Sequence, residues 1–89
     1  MIRLTNTSNK PVWIAPENIR GICENDYGTE IYVDEGQPFI VTESPEEVAR
    51  KVSAWRLAMI DYHHDIPSVK TNAMAELVRL AGLEEQEHG

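Results

Sequence analysis

Val41-Thr42-Glu43-Ser44-Pro45-Glu46-Glu47-Val48 is where the chain changes from one kind of structure to another. Ser44 can cap a helix, Pro45 suits its first position, and Glu47 lies three residues after the cap, closing a capping box. Both glutamates also meet the positive end of the helix dipole. Beyond them, Val48, Val52, Trp55, Met59 and Tyr62 recur at spacings of four, three, four and three, which makes one apolar helical stripe. Arg50, Lys51 and Asp61 lie off it, whereas Leu57 and Ile60 widen it, so two covered faces are expected for this helix. It is predicted over about 45–63, because Pro67 disfavours a helical Ile66. A second helix is predicted over about 68–81, with Val69, Ala73, Leu77 and Leu80 as its stripe and Gly82-Leu83 as a Schellman ending. One helix kinked through Pro67 is the alternative.

Upstream of Ser44 the period drops to two. Ile2 and Leu4 alternate with Arg3 and Thr5, residues 6–10 are turn formers, and Pro11-Val12-Trp13-Ile14 resumes extended structure. After a break at 15–18, a strand is expected over 19–24, with Gly21 leaving room for a neighbour or a bulge. A hairpin follows: 29–33, a four-residue turn at 34–37 with a left-handed Gly36, and 38–42. Ile31 and Val33 share one face, Glu30 and Tyr32 the other. The fold class is therefore α+β: a small antiparallel sheet of three to four short strands over about 2–42, packed by the helix of about 45–63, then the second helix. One domain over 1–83 and an acidic flexible tail over 84–89 are expected from the 89-residue length.

Composition narrows the function classes. The chain is 42% hydrophobic and 26% charged, which fits a globular protein. Its one cysteine, Cys23, excludes a disulfide framework; no apolar run reaches a membrane span, and the opening residues show no signal-peptide core. A soluble, cytoplasmic protein is expected. Of the net charge of −7, the acids concentrate in 17–47, where nine of them face one base, Arg20. That surface opposes phosphate backbones, so no direct nucleic-acid binding is expected, and it suits a basic protein partner.

Candidate chemistry is sparse. Asp61-Tyr62-His63-His64-Asp65 has metal-ligand residue types, but adjacent histidines point about 100° apart on a helix, so the cluster reads as a polar helix end. Cys23, beside Glu24, reads as a small buried hydrophobe and not as a nucleophile. No phosphate-loop, zinc-protease, dinucleotide or nucleophile-elbow motif occurs, so no catalytic residue, cofactor or metal is assigned and the chain is read as non-enzymatic. Trp13, Tyr27 and Tyr32 are the candidate protein-contact aromatics, edged by Glu24, Glu30 and Glu35; Trp55 is read as core.

The order of signals resembles the FlbD-type flagellar and swarming-motility proteins. The matching stretches are Met1-Ile2-Arg3-Leu4-Thr5, Asn18-Ile19, residues 29–33, and Val41 through Val48, within about 1–58. The family's short Leu-Asn-Gly turn is replaced here by residues 6–10, and the second helix and tail are extra. The resemblance implies a non-enzymatic accessory of the motility machinery; the same scaffold would also suit a phage or mobile-element protein. The expected function is thus a protein-interaction or regulatory module with a partner that is basic or presents an exposed apolar groove. Self-association through the second helix or a sheet edge is expected as well. The alternative is an acidic decoy, whose Glu24, Glu30 and Glu35 occupy the groove of a basic nucleic-acid-binding protein.

Overall fold

The computed structural model describes residues 1–84. Five strands and two helices follow one another: β1 (Ile2–Thr5), β2 (Pro11–Ile14), β3 (Ile19–Asn25), β4 (Gly28–Val33), β5 (Phe39–Val41), α1 (Pro45–Tyr62) and α2 (Pro67–Leu80). The class is α+β, as the two periods require. Most of the tail expected over 84–89 lies outside the described residues.

The strands number five and form two antiparallel ladders, β1–β2 and β3–β4–β5, where one sheet of three to four was expected. Two features account for the difference. A 3-10 turn at Pro16–Asn18 interrupts the chain after β2, so β3 begins a new ladder. Asn25 and Gly28 then pair across a two-residue turn, making β3 and β4 a hairpin; the Asn25 side chain accepts the Tyr27 N–H at 2.8 Å, a local bond that Asn supplies readily. The ladders meet at one bridge between Asn6 and Val41, reinforced by the Thr42 N–H donating to the Thr5 carbonyl at 2.8 Å. Glu43 adds a further tie: its Oε1 accepts the Thr5 N–H at 3.0 Å, and its carbonyl accepts the Thr29 hydroxyl.

The β4–β5 connection is longer than the four-residue turn expected. The last β4–β5 pair is Ile31 with Phe39, while Tyr32 and Val33 pair only with β3. Pro38 has no N–H to donate to a ladder, and the loop is held instead by Arg20 paired with Asp34 and by the Asp34 N–H on the Asn18 carbonyl. Gly36 does take a positive φ, 97°.

The alternating residues Ile2, Leu4, Ile14, Ile31 and Val41 turn inward from both ladders onto Val48 and Val52 of α1 and Leu80 of α2. Each such side chain contributes about 2 kcal/mol on full burial. Ser44 caps α1 as its sequence demands, accepting the Glu47 N–H at 3.1 Å.

Pro67 breaks the helix and does not merely kink it. α2 turns back along α1, with Ala58 of one and Ala73 of the other buried between them. These two alanines let the helices approach closely. They, and not Leu57 and Ile60, provide the second covered face of α1: Leu57 is 61% and Ile60 70% exposed. α2 ends in the expected Schellman motif, with the Leu83 N–H on the Val78 carbonyl at 3.0 Å, the Gly82 N–H on that of Arg79 at 3.0 Å, and Gly82 at φ 68°. Among the described residues no helix is long and apolar enough to cross a membrane.

Candidate protein-docking site

The pairing of Arg3 with Trp13 follows from the alternation that buries Ile2, Leu4 and Ile14, so both side chains lie on the opposite face of the β1–β2 ladder from those core residues. There the Trp13 indole N–H donates to the Ala81 carbonyl, just past α2, at 2.8 Å, and the Arg3 guanidinium lies 5.9 Å from the ring centroid. Trp13 is therefore a strut between β2 and the second helix while remaining 45% exposed. Replacing it with phenylalanine keeps an aromatic ring but removes the donor and the pyrrole half of the indole; a loss of at least about 1 kcal/mol in urea-unfolding free energy is expected.

Trp13 also forms one wall of a cleft of about 500 Å³ between the two ladders. Ile14 and Ala15 continue that wall, Val33 and Phe39 form the other, and Met1, Asn18, Asp34 and Glu35 complete the lining. Met1 is 53% and Phe39 40% exposed. Phe39 opens outward because it is the first residue of β5, at the loop end of the ladder, whereas Val41 two residues on is fully buried. The result is a trough of mixed lining with an aromatic side chain on each wall and a pair of carboxylates on its rim. Such a trough can take up an apolar side chain and attract a cation beside it.

Of the candidate contact residues, the cleft gathers Trp13 and Glu35. Tyr27 stands 79% exposed at the β3–β4 turn. Tyr32 lies on the open face of the three-stranded sheet with Glu30 and Cys23, since Glu30 pairs with Cys23 and Tyr32 with Gly21. Glu24 pairs with the buried Thr29, so it belongs to the opposite face from Glu30, and Glu35 is in the loop. The three glutamates do not share a face. Cys23 is exposed, contrary to the buried hydrophobe expected, because among the described residues no element covers that side of the sheet. Glu30, by hydrogen bonding and by charge, pushes the Tyr32 phenol above the ordinary tyrosine range. A spectrophotometric titration should show this phenol ionising late, and Glu30→Gln should bring it down toward the ordinary value.

Met1, Asp34 and Phe39 were not among the sequence candidates. Asp34 and Phe39 flank the Gly36-containing turn, which was legible; their convergence on Trp13 depends on how the two ladders meet, which was not. At the end of α1, His64 Nδ1 accepts the Ile66 N–H at 3.1 Å and the His63 ring packs edge-on to Tyr62, with 5.4 Å between centroids. Among the described residues no three His, Cys, Asp or Glu side chains gather as a metal group.

The family model described as flagellar and swarming motility proteins, FlbD, matches residues 1–60. The chain belongs to the FlbD family. The match spans both ladders and nearly all of α1, and it includes every residue of the cleft. α2 lies beyond it, so in this FlbD chain the Trp13 bond to Ala81 joins the family region to an added helix. No curated protein and no solved structure shows significant similarity to the chain.

Proposed function

We propose that this FlbD-family chain is a non-catalytic, cytoplasmic interaction module of flagellar or swarming motility, and that it works by holding a segment of another protein in the cleft between its ladders. The observation that carries the reading is the half-exposed trio Met1, Trp13 and Phe39 beside Asp34 and Glu35. A segment presenting an apolar anchor next to Lys or Arg fits that chemistry, and the rim carboxylates speed its encounter in a salt-dependent way. Of the two rim carboxylates Asp34 is paired with Arg20, which leaves Glu35 as the one open to a cation on the partner. An exposed free thiol at Cys23 accords with a reducing compartment. The acidic-decoy reading finds no support, because Glu24, Glu30 and Glu35 do not form one phosphate-like row.

The test is site-specific photocrosslinking in motile cells. A benzoylphenylalanine at position 39 should give a discrete protein adduct, weakened by raised salt in the lysate, and one at position 27 should give none. Equal adducts from both positions, or none from 39, would refute docking in the cleft.

A further inference from the structure

β3 is the longest strand and an edge: the order is β3–β4–β5, and among the described residues no strand lies against its outer side. The other edge of this sheet, β5, is bridged to Asn6, the residue after β1. A seven-residue edge with unpaired backbone groups and no proline is a template for pairing unless its side chains oppose it. We infer that β3 pairs antiparallel with β3 of a second copy about a two-fold axis at Ile22, giving a continuous six-stranded sheet.

The register follows from the sequence of the strand, Ile19-Arg20-Gly21-Ile22-Cys23-Glu24-Asn25. Ile22 is the midpoint of its seven residues by count, and the charges brought together there select this axis. It sets Arg20 opposite the partner's Glu24 and the reverse, two opposite-charge pairs, and Gly21 opposite the partner's Cys23. An axis at Gly21 or Cys23 would set Ile22 against Arg20 or Glu24, and parallel stacking would align like charges. Charges that ordinarily protect an edge thus become attractive in one arrangement. Arg20 is 70% exposed, and its five N–H donors leave capacity for a second carboxylate beside Asp34. The bulge lies at Arg20, which has no partner on β4, so that its side chain is not fixed by the inner ladder, and residues 21–25 pair regularly with β4. A two-fold perpendicular to the sheet puts both α1 helices on one side. There a groove of about 340 Å³ runs between β3 and the Ala49, Ser53 and Arg56 flank of α1, with Ile22 in its lining.

The full chain in sedimentation equilibrium should read as a dimer. Glu24→Arg should raise its dissociation constant at least about tenfold, two attractive pairs becoming repulsive, and Arg20→Glu/Glu24→Arg should recover most of that loss. Register is read separately. Gly21 has no positive φ, and a Cβ there would meet Tyr32 Cδ2 at 3.9 Å, an ordinary contact, so cysteine fits. A Gly21→Cys/Cys23→Ser chain mixed with the unaltered chain should crosslink under mild oxidation, its introduced thiol forming a disulfide with Cys23 of the unaltered copy. A chain that stays monomeric, or a dimer with neither charge rescue nor that disulfide, overturns the inference.

Discussion

Leu4→Ala is expected to remove about 3 kcal/mol of folding free energy, within the usual range for a large-to-small change at a core site. Leu4 has no exposed surface and sits in the cluster where β1, β4, β5, α1 and α2 converge. A cavity there cannot close by moving one element, because the surrounding side chains come from both ladders and both helices. A domain of this size holds only about 5–10 kcal/mol in total, so the variant should lose a third or more of its stability. Chemical denaturation monitored by circular dichroism measures it. A loss below about 1 kcal/mol would mean that the two ladders do not share one close-packed core.

The second large effect concerns α2. A chain ending at Ile66 keeps the whole family-matched region but loses Leu80, the Ala73 contact with α1 and the Ala81 carbonyl that receives the Trp13 indole. Burial of Leu80 is worth about 2 kcal/mol and the hydrogen bond about 1, and the removal also exposes Ala58 to water. A loss of about 3–5 kcal/mol is expected from these terms together, enough to leave a marginal, broadly melting fold. A sharp transition at the full chain's midpoint would show that α2 is an attachment and not part of the core.

What could be read from the sequence follows from how local each signal is. The cap at Ser44, the stripe through Val52, the break at Pro67 and the Schellman ending at Gly82 each depend on residues within a few positions, and each is present. The pairing of β3 with β4 is not legible from alternation alone, although Asn25-Asp26-Tyr27-Gly28 carries turn chemistry. The β4–β5 turn differs from the expected one in register because Tyr32 and Val33 serve β3 alone. Alternation predicts that Tyr32 and Glu30 share a face, and they do, but it cannot tell that Cys23 joins them or that Glu24 faces the other way. Leu57 and Ile60 read as a covered face because periodicity records apolar type and not whether a neighbour arrives.

The cleft is half legible. Trp13 and Glu35 are candidates from residue type and neighbours alone, whereas Met1, Asp34 and Phe39 enter only when the two ladders meet at the Asn6–Val41 bridge. That bridge joins residues thirty-five positions apart, and no local pattern specifies it. The same distance effect hides Glu43, which reads as a helix-start acid but ties β1 to the end of β5 through its side chain and carbonyl. Trp13 illustrates the mixture: its exposure follows from strand alternation, and its bond to α2 from the helix turning back.

Docking in the cleft is tested most directly by swarming of a strain lacking this protein, complemented by Phe39→Gln and, in parallel, by Tyr27→Gln. Both side chains are exposed enough for the variants to fold, which thermal melts would check, but only Phe39 lies in the cleft. Tyr27→Gln should restore swarming and Phe39→Gln should not. Full restoration by a folded Phe39→Gln chain would contradict docking there.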